Sequence, residues 1–440
     1  VTTDLDRTMA ALDHSPADIA RWRRERLADI VAHARANSPV LRELYRDLPD
    51  DVDDVTLLPI TDKKTLMPRF ADWVTDREVT EDAVRAFVDQ PELAGELFLG
   101  KYLVTTTSGT SGLRGLFLHD TQEFQMTWEI SRRDAAESYA DDRSVTICAT
   151  GGHFALNAIV SYIRKQGDDD YRERTRLLSV HEPIPALVAA LNDFQPDFVS
   201  GYATVVSMLA TEAERGTLRI SPRAVTVGGE GLPEAEYARL ATAFGAEVTN
   251  IYACNEGMSI TYRCVERNAH LNADWLILEP VDEDLRPSPP GEFSHSVLLT
   301  NLLNRAQPIL RYNLGDSIAL SDGCACGSPM PVLRVRGRST DELRFPHADG
   351  VEVLPSLVVE TLIEKIGGIR FAQVAQTGPQ AVEVRLTLAD DADTEAVWAR
   401  VLSDIDGLLS ARGLSVSVSR SATPPAQEGG GKFRTVIPLG

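Results

Sequence analysis

The hydrophobic positions near the start of the chain follow a helical period: Ile19, Leu27, Ile30, Val31 and Ala34 recur at roughly helical spacing. Ser15 is placed to cap this stretch, Pro16 suits the first helical position, and Asp18 stands where a capping-box acid belongs. Further on the period changes. Residues 145–149, 197–201, 224–227 and 248–252 are short apolar runs that predict buried strands, with helical patterns between them over 204–214 and 233–244. Strands that alternate with helices predict a mostly parallel sheet covered on both faces.

From about residue 258 to 335 the helical period fades, and glycine, proline and short apolar runs predict a β-rich subdomain. After RGRSTDELRF, at 336–345, the pattern shifts again. Residues 381–388 alternate, with Val382, Val384, Leu386 and Leu388 on one side, and a helix over 394–410 and a strand over 414–419 follow. The predicted fold class is α/β. Residues 1–337 form a large N-terminal domain with parallel sheets and the β-rich subdomain; residues 338–440 form a small α+β C-terminal domain.

Composition removes several function classes. A chain of 440 residues, 43% hydrophobic and 25% charged, reads as globular, with two or three domains' worth of length. A net charge of -21 argues against a nucleic-acid partner, which would want a basic face. No apolar run approaches the ~18 residues that cross a bilayer, and the polar, acidic start does not read as a signal peptide. Five cysteines in such a length are no disulfide scaffold. The expectation is a cytoplasmic protein without membrane contact.

The strongest local feature is TTTSGTSGLRG, at 105–115, after a strand-like run at 102–104. Glycines and small hydroxyl residues let backbone N–H groups wrap phosphate oxygens. The GK[ST] ending of a Walker loop is absent. A flexible surface turn has the same composition, so the loop needs company. GGEGL at 228–232 and NIYACNEG at 250–257 each follow a predicted strand, where open α/β sheets bind ligands. LRYNLGD at 310–316, RGRSTD at 336–341 and GGGKF near the C-terminus complete the series.

In order and spacing these motifs resemble the adenylate-forming superfamily of acyl-CoA ligases, peptide-synthetase adenylation domains and luciferases. The resemblance covers nearly the whole chain. It is nearest to the phenylacetate-CoA ligase branch, which is short and has an ITDKKTL-type stretch, here residues 60–66. The resemblance implies ATP-dependent activation of a carboxylic acid to an acyl-adenylate, then transfer to CoA. A carrier-protein thiol or an amine in trans is the alternative acceptor, and a non-catalytic nucleotide-binding protein is the alternative class. It also implies Mg²⁺, a C-terminal domain that swings between two poses, and a homodimer, for which the sequence offers no visible interface.

Roles carry over position by position. Thr107, Ser108, Gly109, Thr110, Ser111 and Gly112 would hold the ATP phosphates; Gly228, Gly229, Glu230 and Asn250 would line the nucleotide pocket. Tyr252 would stack on adenine, Asp316 would accept both ribose hydroxyls, and Arg338 would contact ribose or phosphate. Glu256 would coordinate Mg²⁺, and Lys432 would bring a point charge to the α-phosphate and carboxylate. Taken singly, each also has a plain structural reading: a core tyrosine, a turn aspartate, a solvated arginine or lysine. His153, Phe154, Tyr202, Ala253 and Gly257 would line the acyl pocket, with an aryl or arylacetic acid favoured. His153 and Phe154 read equally as core packing. Leu113-Arg114, YACNE and Thr340 depart from the family's usual residues, and the last leaves the pivot open.

Cys264, His270, Cys324 and Cys326 supply three thiols and an imidazole, a full ligand set for tetrahedral Zn²⁺. The spacing is not that of a standard zinc finger, and a reduced turn without metal is the other reading. Cys148 and Cys254 read as core cysteines.

Overall fold

The computed structural model describes residues 10–107, 114–131, 133, 142–229, 234–282, 284–335, 343–347, 350–354, 358–359, 362–363, 365–388, 392–425 and 436–439. The first long helix is Pro16–Asn37, and its capping box forms: the Ser15 side chain accepts from the Asp18 N–H while Asp18 reaches back. It buries Ile19, Trp22, Leu27, Ile30, Val31 and Ala34.

Three short antiparallel strands come next, β1 (Leu97–Phe98), β2 (Tyr102–Thr106) and β3 (Leu116–Asp120), in the order β1-β2-β3. Every residue of β2 is buried, which is why it reads as one unbroken apolar run.

The parallel sheet follows: β4 (Ser144–Cys148), β5 (Thr175–Ser179), β6 (Phe198–Tyr202), β7 (Ala224–Gly228) and β8 (Glu247–Ile251). Its order is β5-β4-β6-β7-β8, with all four pairings parallel. Helices Ala155–Gln166, Ile184–Phe194, Ala203–Glu214 and Glu234–Phe244 connect the strands. The chain leaves β4 to one side for β5 and returns on the other side for β6. That reversal opens a crevice beyond the carboxyl ends of β4 and β6.

The antiparallel part comprises β9 (Ala253–Cys254) with β10 (Met258–Ser259), then β11 (Thr261–Arg263), β12 (Ala269–Leu271), β13 (Leu276–Val281), β14 (Ser296–Asn301), β15 (Tyr312–Asn313), β16 (Ile318–Ser321) and β17 (Val332–Val335). β13, β14 and β15 form one sheet; β11-β12-β17-β16 form another. The C-terminal segment holds the hairpin β18 (Leu343–His347) and β19 (Gly350–Leu354). It ends in a four-stranded sheet of β20 (Ile369–Gly378), β21 (Ala381–Leu388), β22 (Ser417–Arg420) and β23 (Val436–Ile437), beside helix Thr394–Ala411. This is the mixed α/β architecture that the sequence predicts.

Two hydrophobic cores result. One joins the N-terminal helices, the β1–β3 sheet and the antiparallel sheets; the other joins the parallel sheet to the apolar side chains of the C-terminal segment. No helix among the described residues is long and apolar enough to cross a membrane.

Candidate functional site

The site collects where chain ends from different sheets meet. β2 ends at Thr106, whose N–H donates to the His153 carbonyl at 2.7 Å, and Thr106 also bridges to Phe154. Thr107 is then held from two sides. Its N–H donates to the Gly115 carbonyl at 3.1 Å, and its Oγ1 accepts from the Gly115 N–H at 2.8 Å. These bonds close the neck of the loop. Ser108, Gly109, Thr110, Ser111 and Gly112 lie outside the described residues, as do Glu230, Arg338 and Lys432.

Lys63 donates to Thr107 Oγ1 at 2.8 Å. Its segment is fastened by backbone pairing: the Thr61 N–H donates to the Arg311 carbonyl at 3.0 Å, and the Asn313 N–H donates to the Thr61 carbonyl at 2.8 Å. Asp62 then caps the one-turn helix Lys63–Leu66 through the Thr65 N–H. So ITDKKTL, noted in the sequence only as a mark of resemblance, delivers an ammonium to the loop neck. Two adjacent lysines before the loop were the available signal.

At the other edge, β8 ends at Ile251 and Tyr252 follows. The Tyr252 N–H donates to Thr261 Oγ1 at 3.0 Å, and its hydroxyl donates to Asp316 Oδ2 at 2.7 Å. Two residues assigned separate roles are therefore one unit. Burial, with the Asp316 charge added, pushes the Tyr252 phenol well above its ordinary pKa, so it stays a donor. Cys254 is raised in the same way by burial and by the charges of Glu256 and Asp316, which keeps it a neutral thiol and no nucleophile.

Glu256 is 9% exposed. Its carbonyl accepts from Asn301 Nδ2 at 3.1 Å, and the same amide reaches Glu123 Oε1 at 3.2 Å. Glu123 Oε2 lies 3.1 Å from His119 Nδ1, and His119 Nε2 lies 3.3 Å from Thr105 Oγ1. A fully buried polar chain thus links the strand before the phosphate loop to the turn that carries Glu256. Beside it, Asn255 Oδ1 and the Tyr312 hydroxyl are buried without a hydrogen-bond partner. Orphaned oxygens next to a carboxylate fit a hard cation and its bound phosphate better than an apolar ligand.

The parallel-sheet side supplies the glycines. Gly229 has φ +75°, and a Cβ there would stand 3.0 Å from the Tyr202 ring. A Cβ at Gly257 would meet Ile260 Cδ1 at 2.5 Å. Gly228, half-buried, closes β7, and half-buried Asn250 lies in β8. Tyr202 ends β6, and its hydroxyl accepts from the Ala149 N–H at 3.4 Å, across the mouth of the β4/β6 crevice. Ala253, which follows Tyr252, is exposed at the start of β9.

His153 is 0% exposed. Its Nε2 donates to the Gln90 carbonyl at 3.1 Å, and its ring lies 5.1 Å from that of Phe87. Burial lowers its pKa, which holds it neutral. The imidazole is thus packed in the core through Nε2, with Nδ1 buried and without a hydrogen-bond partner, while Phe154, 9% exposed, belongs to the parallel-sheet core. Cys264, His270, Cys324 and Cys326 do converge, in the β11-β12-β17-β16 sheet.

Comparison with known proteins places this geometry. No protein-family profile matches the chain. A phenylacetate-coenzyme A ligase of Thermus thermophilus is 31% identical over 186 residues, 40% of this chain and 41% of that protein. Protein CapK of Staphylococcus aureus is 23% identical over 218 residues, 48% of this chain and 46% of that protein. The matched stretches span less than half of either curated relative. Among solved structures, 2-hydroxyisobutyryl-CoA ligase in complex with 2-HIB-AMP and CoA superposes with a TM-score of 0.59 at 17% identity, covering 96% of this chain and 90% of that one. The same ligase in the postadenylation state gives 0.58 at 16% identity, over 98% and 91%. These likenesses carry the fold.

Proposed function

We propose an activity for this chain from its place in the adenylate-forming superfamily, to whose phenylacetate-CoA ligase-like branch it belongs: it activates a carboxylic acid with ATP and transfers the acyl group to CoA. The carboxylate oxygen attacks the α-phosphorus, an acyl–AMP anhydride forms, and pyrophosphate leaves. The thiolate of CoA then attacks the acyl carbon, and AMP leaves with the electron pair.

One observation carries the reading. Tyr252 hydrogen-bonds Asp316 on one edge while Lys63 holds Thr107 on the other, and the backbone carbonyl of nearly buried Glu256 is linked through Asn301, Glu123 and His119 to Thr105. The first step joins two anions in a place where Glu256 and Asp316 are already acidic, so added positive charge decides its rate. Lys63 supplies some. Mg²⁺ held by Glu256, with Asn255 in support, would neutralise phosphate charge. Lys432 and Arg338 are assigned the remainder, and Ser108 to Gly112 and Glu230 complete the phosphate and adenine contacts. Asp316, oriented by Tyr252, accepts from the ribose hydroxyls.

The acid is an aryl or arylacetic acid. The stretch similar to a phenylacetate-coenzyme A ligase supports this, as does the aromatic ring of Tyr202 at the β4/β6 crevice. Residues 338–440 act as the mobile unit, and the acyl pocket is completed by Ala253 and Gly257. The test is pyrophosphate release with ATP and Mg²⁺ over a panel of aryl, arylacetic and short aliphatic acids, each with and without CoA. Release with one arylacetic acid and thioester formation with CoA is the expected result. Equal turnover of aliphatic acids would remove the aryl assignment, and release without any thioester would move the acceptor to another thiol or an amine.

A further inference from the structure

Away from the nucleotide site, Cys264, His270, Cys324 and Cys326 bring their ligand atoms within 4.8 Å of one another. They come from two hairpins. Cys264 follows β11 and His270 lies on β12; Cys324 and Cys326 sit in the turn between β16 and β17. The ladder between these hairpins is thin. β12 and β17 share one register pair, His270 with Val332, supported by the Leu271 N–H donating to the Pro331 carbonyl at 2.9 Å.

Two of the spacings match edges of a coordination tetrahedron. Its edge is about 1.63 bond lengths, so metal–sulfur bonds of ~2.3 Å separate two sulfurs by ~3.8 Å. A sulfur and an imidazole nitrogen at ~2.0–2.1 Å from the metal stand ~3.5 Å apart. Cys264 Sγ and Cys324 Sγ are 3.8 Å apart, and Cys326 Sγ and His270 Nε2 are 3.5 Å apart. A disulfide would bring two sulfurs to ~2.05 Å, so Cys264 and Cys324 are not bonded, and Cys326 is likewise a free thiol.

Outer contacts aim the ligands. His270 Nδ1 lies 2.7 Å from the Met330 carbonyl. A carbonyl only accepts, so Nδ1 carries the proton and the Nε2 lone pair faces the cysteines. Asn268 Nδ2 donates to Cys324 Sγ at 3.2 Å, and the Ser328 N–H donates to Cys326 Sγ at 3.4 Å. The Tyr262 ring stacks on His270 at 5.4 Å. Three sulfurs and one imidazole gathered at one point select zinc over the oxygen-seeking Mg²⁺ or Ca²⁺. Four protein ligands leave no open position, so the ion is structural.

We propose that Cys264, His270, Cys324 and Cys326 bind one Zn²⁺, which clamps the β11–β12 hairpin to the β16–β17 hairpin. The clamp bears on the ligase reading without depending on it. β16 begins two residues after Asp316, β11 contains the Thr261 that holds Tyr252, and residues 336–342 follow β17 directly. One ion thereby fixes the sheet beneath the ribose-binding edge.

The test reads metal directly, so a failed ligase assay leaves it intact. Native full-length protein, purified without a metal-affinity tag, is expected to hold about one zinc per chain, with three sulfurs and one nitrogen in its X-ray absorption shell. Cys324→Ser and Cys326→Ser should each lose the zinc, while Cys148→Ala, in the parallel sheet, should keep it. Should the serine variants fail to fold, Asn268→Ala retains all four ligands and is expected to weaken zinc ~10- to 100-fold in competition with a chromophoric chelator. Native protein that is isolated metal-free and takes up no zinc on titration would overturn the proposal, as would an absorption shell dominated by oxygen.

Discussion

The proposed nucleotide cradle and the cysteine–histidine cluster are built on opposite principles. The proposed cradle takes Lys63, Thr107, Tyr202, Gly229, Tyr252, Glu256 and Asp316 from distant parts of the chain, and single hydrogen bonds pair Lys63 with Thr107 and Tyr252 with Asp316. It keeps oxygen atoms orphaned, at Asn255 and Tyr312. The cluster takes four ligands from two neighbouring hairpins, and the groups behind them are satisfied: Nδ1 of His270 by a carbonyl, two sulfurs by N–H donors. A site that admits and releases reactants must leave polar groups unpaired between visits; a site that only holds shape need not. Removing a charge from the cradle should therefore cost turnover and spare stability. Removing a ligand from the cluster should do the reverse.

The sharpest break of that comparison is Lys432→Ala. If it supplies the charge at the α-phosphate, adenylation should fall ~10²- to 10³-fold, about 3–4 kcal/mol, as for other preorganised electrostatic groups. The melting temperature should stay put, because the side chain is assigned no packing role. Pyrophosphate release and a thermal scan on one preparation decide it; normal adenylation would refute the assignment.

Next comes the cluster. Cys324→Ser should lower stability by about 2–4 kcal/mol through loss of the clamp, read as a shifted urea midpoint. Its effect on the chemical step at saturating ATP should be small. A variant with unchanged midpoint and lost turnover would invert the contrast between the two regions.

Tyr252→Phe is smaller again. It deletes one hydrogen bond to a carboxylate, worth about 1.5–3 kcal/mol at most, and leaves the ring. The expected result is a KM for ATP raised ~10-fold with kcat nearly unchanged. A fall in kcat alone would place Tyr252 in the chemistry and not in ribose positioning.

These regions also differ in how far the sequence could be read. The capping box at Ser15 and Asp18, the parallel strands and helix Thr394–Ala411 were legible because local period and cap chemistry set them. What could not be read was pairing across the chain. Nothing local tells that Thr61 will pair with Arg311 and Asn313 and carry Lys63 to Thr107, or that Tyr252 will donate to Asp316. His153 shows the converse. Its position after a strand suits a pocket wall, yet the Gln90 carbonyl, from a distant turn, takes its Nε2 into the core. The four zinc-type ligands were recognisable as a set, but only the meeting of two hairpins gives them tetrahedral edges.

The smallest predicted effect tests the buried chain between the cradle's two edges. Glu123 is 3% exposed, against fully buried His119. Burial raises its carboxyl pKa, opposed by the His119 charge and hydrogen bond and by Asn301. A carboxyl raised in the folded state gives stability that is complete below the ordinary carboxylate range and is lost as pH climbs through the raised value. The protonated acid can donate to His119 Nδ1 while its other oxygen accepts from Asn301. Glutamine offers the same donor and acceptor and never ionises. Glu123→Gln should therefore match the parent near pH 4, flatten the decline above it, and equal or exceed the parent by about 1 kcal/mol at pH 8. Urea midpoints across that range measure it. If the parent instead gains on the variant as pH rises from 4, Glu123 is an ionised partner of a charged His119, and the link between phosphate loop and Glu256 is an ion pair instead of a neutral hydrogen-bond chain.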